Sequence, residues 1–251
     1  MRLKDDGRRT LDVYRELMNS NHPLSAFTVG NHETLADAEE ETIRDELIRF
    51  YQRYYSASLM SLVILGKEPL DELQQMAMPI FGRIPSHSVS LPATYPAMFR
   101  SDFLPAKVDI KPKKELRQLT FLFPVPDVDV NYRKKPYEFI AHLLGHEGEG
   151  SLLSFLRQLG WAESLSAGVG LKSRHDGLFQ ITIDLTEKGW KARNQIPVVV
   201  FHVIRQLEAR GLKEWRYQEL QQMADINFRY QEKMPPMDTV RQLAPSMHVY
   251  T

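Results

Sequence analysis

The residues best suited to chemistry lie close together between positions 142 and 151. They are His142, His146, Glu147, the turn Gly148-Glu149-Gly150 and Ser151. Two histidines four residues apart on a helix present both rings on one face, as zinc-binding pairs do. The two zinc-peptidase helix patterns need a glutamate directly after the first histidine or directly before the second, where Leu143 and Gly145 stand. Both metal motifs are incomplete, so we expect the histidines to form hydrogen bonds at a helix end.

Three other chemical interpretations of the sequence are also incomplete. The glycine turn offers backbone N–H groups to an anion, but it lacks the lysine of a phosphate loop and contains two nearby glutamates. A tight turn with Ser151 as helix N-cap is the expected structure. Ser151, His146 and Glu147 have the residue types of a nucleophile triad without a nucleophile-elbow sequence. The loop after residue 126 begins like a calcium-binding loop, with Asp127, Asp129 and Asn131. It lacks the glycine and the distant glutamate of such loops.

Hydrophobic periodicity indicates the helices and strands that must position these residues. A helix from about Pro136 to Gly145 carries the histidines, and a short helix from Ser151 to Leu159 follows the turn. Apolar residues alternate with polar ones from Phe179 to Leu185, which predicts a strand with one buried face. Further helices are predicted over 1–20, 43–54, 70–81, 196–207 and 213–230, with the acidic run 39–41 on a helix surface. Further strands are predicted over 60–65, 107–111 and 116–123, the last ended by Pro124.

Composition places the chain among globular proteins with irregularly alternating helices and strands, an α/β or α+β class. Lys+Arg and Asp+Glu both number 32 in 251 residues, so no nucleic acid or anionic membrane is expected as partner. The absence of cysteine excludes disulfides, and no apolar run is long enough for a membrane span. Prolines recur through residues 82–105, as they do in linkers between domains. This predicts two domains, 1–95 and 96–251.

Several motifs in the same order resemble the insulinase (pitrilysin) family of zinc metalloproteases. The central one is Gly145-His146-Glu147-Gly148-x-Gly150-Ser151-Leu152-Leu153, followed by Gly160-Trp161. The others are His22-Pro23-Leu24-Ser25-x-Phe27 with Gly30-Asn31 and Thr34-Leu35, the helix end FYQRYYSASLM at 50–60, and Asp184-Leu185-Thr186-Glu187-x-Gly189. The resemblance extends over essentially the whole chain.

The resemblance implies the fold and the place of this chain in a longer protein. It implies an α+β fold of two sandwich units like those of LuxS and mitochondrial processing peptidase, each a largely antiparallel mixed sheet packed with helices. The unit in 1–95 would be the incomplete end of a catalytic-type domain. Residues 96–251 would be a nearly complete non-catalytic domain. The family's zinc motif and third ligand would precede Met1, so zinc is expected in the parent protein and no metal in this chain.

The resemblance also implies a substrate-binding site that holds the amino-terminal end of a peptide. Its residues match His142, Gly145 and Glu147, with Leu165, Ala167 and Val169 on a neighbouring strand. Ala167 replaces a glycine of the family and Val169 a polar residue. These replacements are compatible with the family's backbone contacts but not with all of its side-chain contacts.

The resemblance and the residues together leave three functional interpretations open. The first is an inactive piece of a zinc metalloendopeptidase that supplies chamber wall and peptide anchoring, with peptides and the remaining domains of the same polypeptide as partners. The second is a non-catalytic family member that binds peptides or scaffolds an assembly. The third is a separate enzyme in which His142 and His146 hold a metal. The sequence predicts a soluble protein and does not identify its compartment. The periplasm is the alternative for a bacterial source.

Overall fold

The computed structural model describes residues 5–26, 30–32, 35–37, 42–91 and 94–250. Within these ranges the chain forms two compact units. The first unit contains residues 5–26 and 94–230, and the second contains the described part of 30–91 with 231–250. Phe27, Thr34 and the acidic run 39–41, which belong to predicted motifs or helices, lie outside the described residues. The division into domains at residue 95 stays a prediction.

The first unit carries three strands and six α-helices within its described residues. The strands are β1 (Gln118–Pro126), β2 (Ala162–Lys172) and β3 (Asp176–Leu185). Its helices are α1 (Asp6–Leu17), α4 (Pro136–Leu144), α5 (Leu152–Gln158), α6 (Glu187–Lys191), α7 (Ile196–Arg210) and α8 (Glu214–Arg229). The second unit contains α2 (Ile43–Tyr54), α3 (Leu70–Phe81) and α9 (Pro236–Ser246).

An antiparallel sheet organises the first unit, with β3 between β1 and β2. The alternation predicted for β3 is confirmed, because every second side chain enters the core: Phe179, Ile181, Ile183 and Leu185 are buried. Leucines of α4 and α5 and two aliphatic residues of α7 complete this core; they are Leu144, Leu152, Leu153, Leu156, Ile196 and Val200. An antiparallel sheet packed with helices confirms the α+β class.

Helix α1 belongs to this unit through a second, smaller cluster. Met18, Met98 and Leu178 are buried together, with Tyr14 and Leu122 partly buried beside them. At the other end of α1, the Asp6 carboxylate accepts hydrogen bonds from two consecutive backbone N–H groups, at residues 113 and 114. These donors hold the pKa of the Asp6 carboxyl below its ordinary value. Residues near the amino terminus are therefore tied to the chain that precedes β1.

In the second unit, apolar residues of α2, α3 and the chain between them are exposed. They include Leu47, Phe50, Tyr51, Met60, Leu62, Leu70, Met76 and Ile80. The aliphatic run from Met60 to Leu65 was predicted to be a buried strand, and this prediction is wrong for the described structure. A strand needs a neighbour to satisfy its backbone groups. No strand is present among the described residues of this unit, so the run has no neighbour with which to pair.

Two further strand predictions are corrected. Residues 107–111 form no strand in the described structure. Strand β1 continues through Pro124 and Pro126, although Pro124 was predicted to end it. Proline lacks the backbone N–H that a central strand must donate, but an edge strand has one side without a neighbour. Because β3 is the partner of β1 among the described strands, β1 has a free edge and accommodates both prolines.

Ser56 supports the second unit through a buried hydroxyl. Its Oγ lies 2.7 Å from the carbonyl oxygen of His87 and accepts from the backbone N–H of His87 at 2.8 Å, and Ser56 is fully buried. We expect Ser56→Ala to leave both backbone groups of His87 without this partner and to destabilise the second unit by about 1–3 kcal/mol. Amide hydrogen exchange at His87 measures this directly.

The matched control for Ser56 is Ser58→Ala. The Ser58 hydroxyl also donates to the His87 carbonyl, at 2.8 Å, but in an exposed position. Its removal should accelerate exchange much less, because water replaces it. Equal exchange rates in the two variants would contradict a supporting role for Ser56.

Candidate functional site

A cleft of about 450 Å³ lies between the carboxyl end of α4 and strand β2. Its lining residues come from these two elements and the turn that follows α4. They are Ala141, His142, Gly145, His146, Glu147, Leu165, Ser166 and Ala167. Five of the six residues assigned to peptide anchoring by resemblance are among them, although the two segments are about twenty positions apart in sequence. The sixth, Val169, lies further along β2 and does not line the cleft.

Gly145 lets the end of α4 approach strand β2 closely, because it has no side chain. Helix α4 ends at this residue, and the Gly145 N–H donates to the Ala141 carbonyl at 2.8 Å. A Cβ at Gly145 would lie 2.9 Å from that oxygen, and 3.7 Å from the backbone nitrogen of Ala167. A larger residue would therefore project into the space that forms the cleft.

The glycine turn adopts the predicted capped structure. The Ser151 N–H donates to the Gly148 carbonyl at 3.1 Å, and the Ser151 hydroxyl accepts from the Ser154 N–H at 3.0 Å. Gly150 has a φ of 77°, in the left-handed region that favours glycine. The Ser151 hydroxyl thus serves as helix cap, as expected.

Strand β2 lies at an edge of the sheet and offers backbone groups to an extended chain. It pairs with β3 on one side, and no described strand lies on its other side. The Leu165 side chain is buried in the core, and Ala167 and Val169 pack against the same core. The three side chains therefore lie on the core side of the sheet, and an unpaired strand edge can bind a peptide through main-chain hydrogen bonds.

The carboxylate of Glu147 has a basic neighbour, Arg157 of α5. The Arg157 Nη1 lies 3.4 Å from Glu147 Oε2, and the two side chains are 46% and 66% exposed. Sequence analysis missed Arg157. Its only signal was a basic residue in the last turn of α5, ten positions from Glu147, and that signal does not predict the contact.

The histidines of the cleft have no third metal ligand beside them among the described residues. The ring centroids of His142 and His146 are 6.1 Å apart. Among the residues that the structure describes, no group of three or more histidines and acids is arranged to hold a metal ion. The acids of the calcium-like loop have protein partners, since Asp127 accepts from the Asp129 N–H and Asp129 pairs with Lys172 at 2.8 Å. Zinc therefore does not fit the side chains of this cleft, and the expectation that this chain alone holds no zinc stays a prediction.

Comparison with known proteins identifies the family to which this chain is similar. A family model described as the peptidase M16 inactive domain matches residues 42–224. The A-factor-processing enzyme of Saccharomyces cerevisiae is 35% identical over 245 residues, which cover 96% of this chain and 24% of that protein. The insulin-degrading enzyme of Homo sapiens is 34% identical over 249 residues, with coverage of 98% and 24%. The chain spans about a quarter of the length of these relatives.

Solved structures give the same result for the fold. The crystal structure of pitrilysin superposes with a TM-score of 0.90 at 31% identity, covering 99% of this chain and 27% of that chain. A peptidase M16 inactive domain from Pseudomonas fluorescens superposes with a TM-score of 0.63 at 16% identity, covering 98% and 56%. The second likeness concerns the fold alone. No helix among the described residues has the length and apolar character that crossing a membrane requires.

Proposed function

We propose a function from the family of this chain, which belongs to the insulinase (pitrilysin) family of M16 peptidases. The chain would be the peptide-anchoring part of a longer zinc-dependent metalloendopeptidase. The chain would supply part of the wall of a closed chamber and would hold the amino-terminal end of a peptide there. Hydrolysis, and the zinc that activates water for it, would belong to residues outside this chain. Its partners would be peptides and the remaining domains of the same polypeptide.

The observation that carries this proposal is the cleft between α4 and β2. Glu147 and residues of the edge strand both line it, so one site would offer an acid to an α-ammonium group and main-chain groups to the following residues. Charge-assisted hydrogen bonds of this kind are among the stronger polar contacts. Strand addition provides affinity for any extended sequence, which suits an enzyme acting on peptides of varied sequence.

A second candidate function is peptide binding or scaffolding by a non-catalytic member of the same family. The matching family model describes an inactive domain, and the described residues contain no metal-binding group. The two candidates share the cleft and differ in the rest of the polypeptide. A longer sequence with a His-x-x-Glu-His motif would favour the peptidase, and its absence from a complete gene would favour the scaffold.

The test of anchoring is Glu147→Gln with an extended peptide whose amino terminus is either free or acetylated. The substitution keeps the shape of the side chain and removes the charge that would attract an ammonium group. We expect the free peptide to bind about three- to tenfold more weakly, a modest loss because the carboxylate is two-thirds exposed to solvent. The acetylated peptide should be unaffected. Isothermal titration of this chain measures both.

Glu149→Gln is the matched control, since Glu149 is an exposed acid in the same turn and does not line the cleft. It should leave both affinities close to those of the unsubstituted chain. Equal losses for free and acetylated peptides on Glu147→Gln would remove Glu147 from the anchoring site.

A further inference from the structure

We infer that Arg157 is a resident counter-ion of Glu147 that lowers the affinity of the cleft for a peptide amino terminus, an inference that rests on the proposed function. The Arg157 guanidinium lies 3.4 Å from the Glu147 carboxylate. Arg157 does not line the cleft. It therefore acts through Glu147, as a specificity-determining residue at the edge of the site.

Arg157 is held in place independently of Glu147. Its Nε and Nη2 groups both donate to the backbone carbonyl of Glu163, at 3.1 and 2.8 Å. Two bonds to one oxygen fix the plane of a guanidinium group, which carries five N–H donors in a rigid arrangement. The contact with Glu147 uses a third donor, on Nη1. A cation that competes for Glu147 would thus not release Arg157 from its position at the start of β2.

The sign of the effect follows from Coulomb's law. An ammonium group bound to Glu147 would lie within a few ångströms of the guanidinium, and two positive charges repel each other. Because both side chains are about half exposed or more, water screens the repulsion, and its effect on affinity is limited to about two- to fivefold. Arg157 thereby weakens the attraction of every free amino terminus without blocking the cleft.

The experiment compares three forms of this chain: the unsubstituted chain, Arg157→Gln and Arg157→Lys. Each is titrated with one extended peptide whose amino terminus is either free or acetylated. We expect Arg157→Gln to bind the free peptide about two- to fivefold more tightly and the acetylated peptide unchanged. Arg157→Lys keeps the positive charge, so it should bind both peptides as the unsubstituted chain does. The gain in Arg157→Gln should shrink at 1 M salt, where charges are screened within about 3 Å. Arg157→Met replaces the glutamine variant if the latter unfolds.

Equal or weaker binding of the free peptide by the neutral variants would overturn the inference, because Arg157 would then support the site and not oppose it. A similar change for both peptides would also overturn it, since it indicates a structural role at Glu163. Failure of the proposed function gives a different result. In that case the unsubstituted chain and Glu147→Gln would bind free and acetylated peptides alike, before any change at Arg157.

Discussion

Replacing Gly189 with alanine is expected to destabilise the first unit by about 3 kcal/mol or more. Gly189 lies in α6, and a Cβ there would stand 1.8 Å from the Trp161 carbonyl oxygen and 2.7 Å from its carbon. These are backbone atoms, so they cannot rotate away as a side chain would. The Trp161 carbonyl also accepts from the Thr186 N–H at 3.1 Å, and the Thr186 hydroxyl caps α6 by accepting from the Gly189 N–H. An added methyl group must therefore separate α6 from the start of β2.

Urea unfolding followed by tryptophan fluorescence measures this loss in the first unit. All three tryptophans of the chain, at positions 161, 190 and 215, lie there. Gly168→Ala is the matched control, since a Cβ at Gly168 meets no atom within 4 Å and needs no left-handed backbone. The control should unfold close to the midpoint of the unsubstituted chain. An unchanged midpoint for Gly189→Ala would contradict the close approach of α6 to Trp161.

Truncation of Leu153 to alanine is expected to destabilise the first unit by about 2–5 kcal/mol, the range found for removing a buried leucine. Leu153 of α5 is fully buried among core residues of the sheet and of α7. The neighbouring side chains can fill only part of the space that is left. The same loss should loosen α5, which carries Arg157 beside the cleft, so peptide binding near the unfolding midpoint should fall together with stability.

Phe155→Ala provides the comparison on the same helix. Phe155 is 46% exposed, so its larger side chain should contribute less to stability than the buried Leu153. Tryptophan fluorescence in urea again measures both variants. A larger loss for Phe155→Ala than for Leu153→Ala would show that α5 does not pack on the sheet through Leu153.

The elements of the first unit were mostly predictable, because their signals are local. Strand β3 follows from alternation, and α4 and α7 follow from helical periodicity. The cap of α5 follows from Ser151 after a glycine turn. Such patterns act within a few residues, so they can be recognised before the tertiary structure is known.

The wrong predictions concern segments whose structure depends on a partner. The run from Met60 to Leu65 has the composition of a strand, but hydrogen bonds between strands need a neighbour that composition does not reveal. Pro124 was predicted to end a strand, and only its place at the edge of the sheet makes it compatible with β1.

The candidate site was in part accessible to sequence. The order of motifs predicted which positions form it, and the histidines, the glycine turn and Glu147 are adjacent in the chain. The chain order alone thus determined the family resemblance, the helix–turn–helix around the turn and the residue types offered to a ligand. These depend on local spacing, which the sequence states directly.

Only the tertiary structure decided what surrounds Glu147. Folding brings β2 against the end of α4, keeps the Leu165 side chain in the core and leaves one edge of β2 unpaired among the described strands. It also places Arg157 at 3.4 Å from the carboxylate while the Glu163 carbonyl holds its guanidinium. Contacts of this kind depend on how α5 docks on the sheet. That docking is set by burial of leucines distributed over several elements, so no short sequence pattern encodes it.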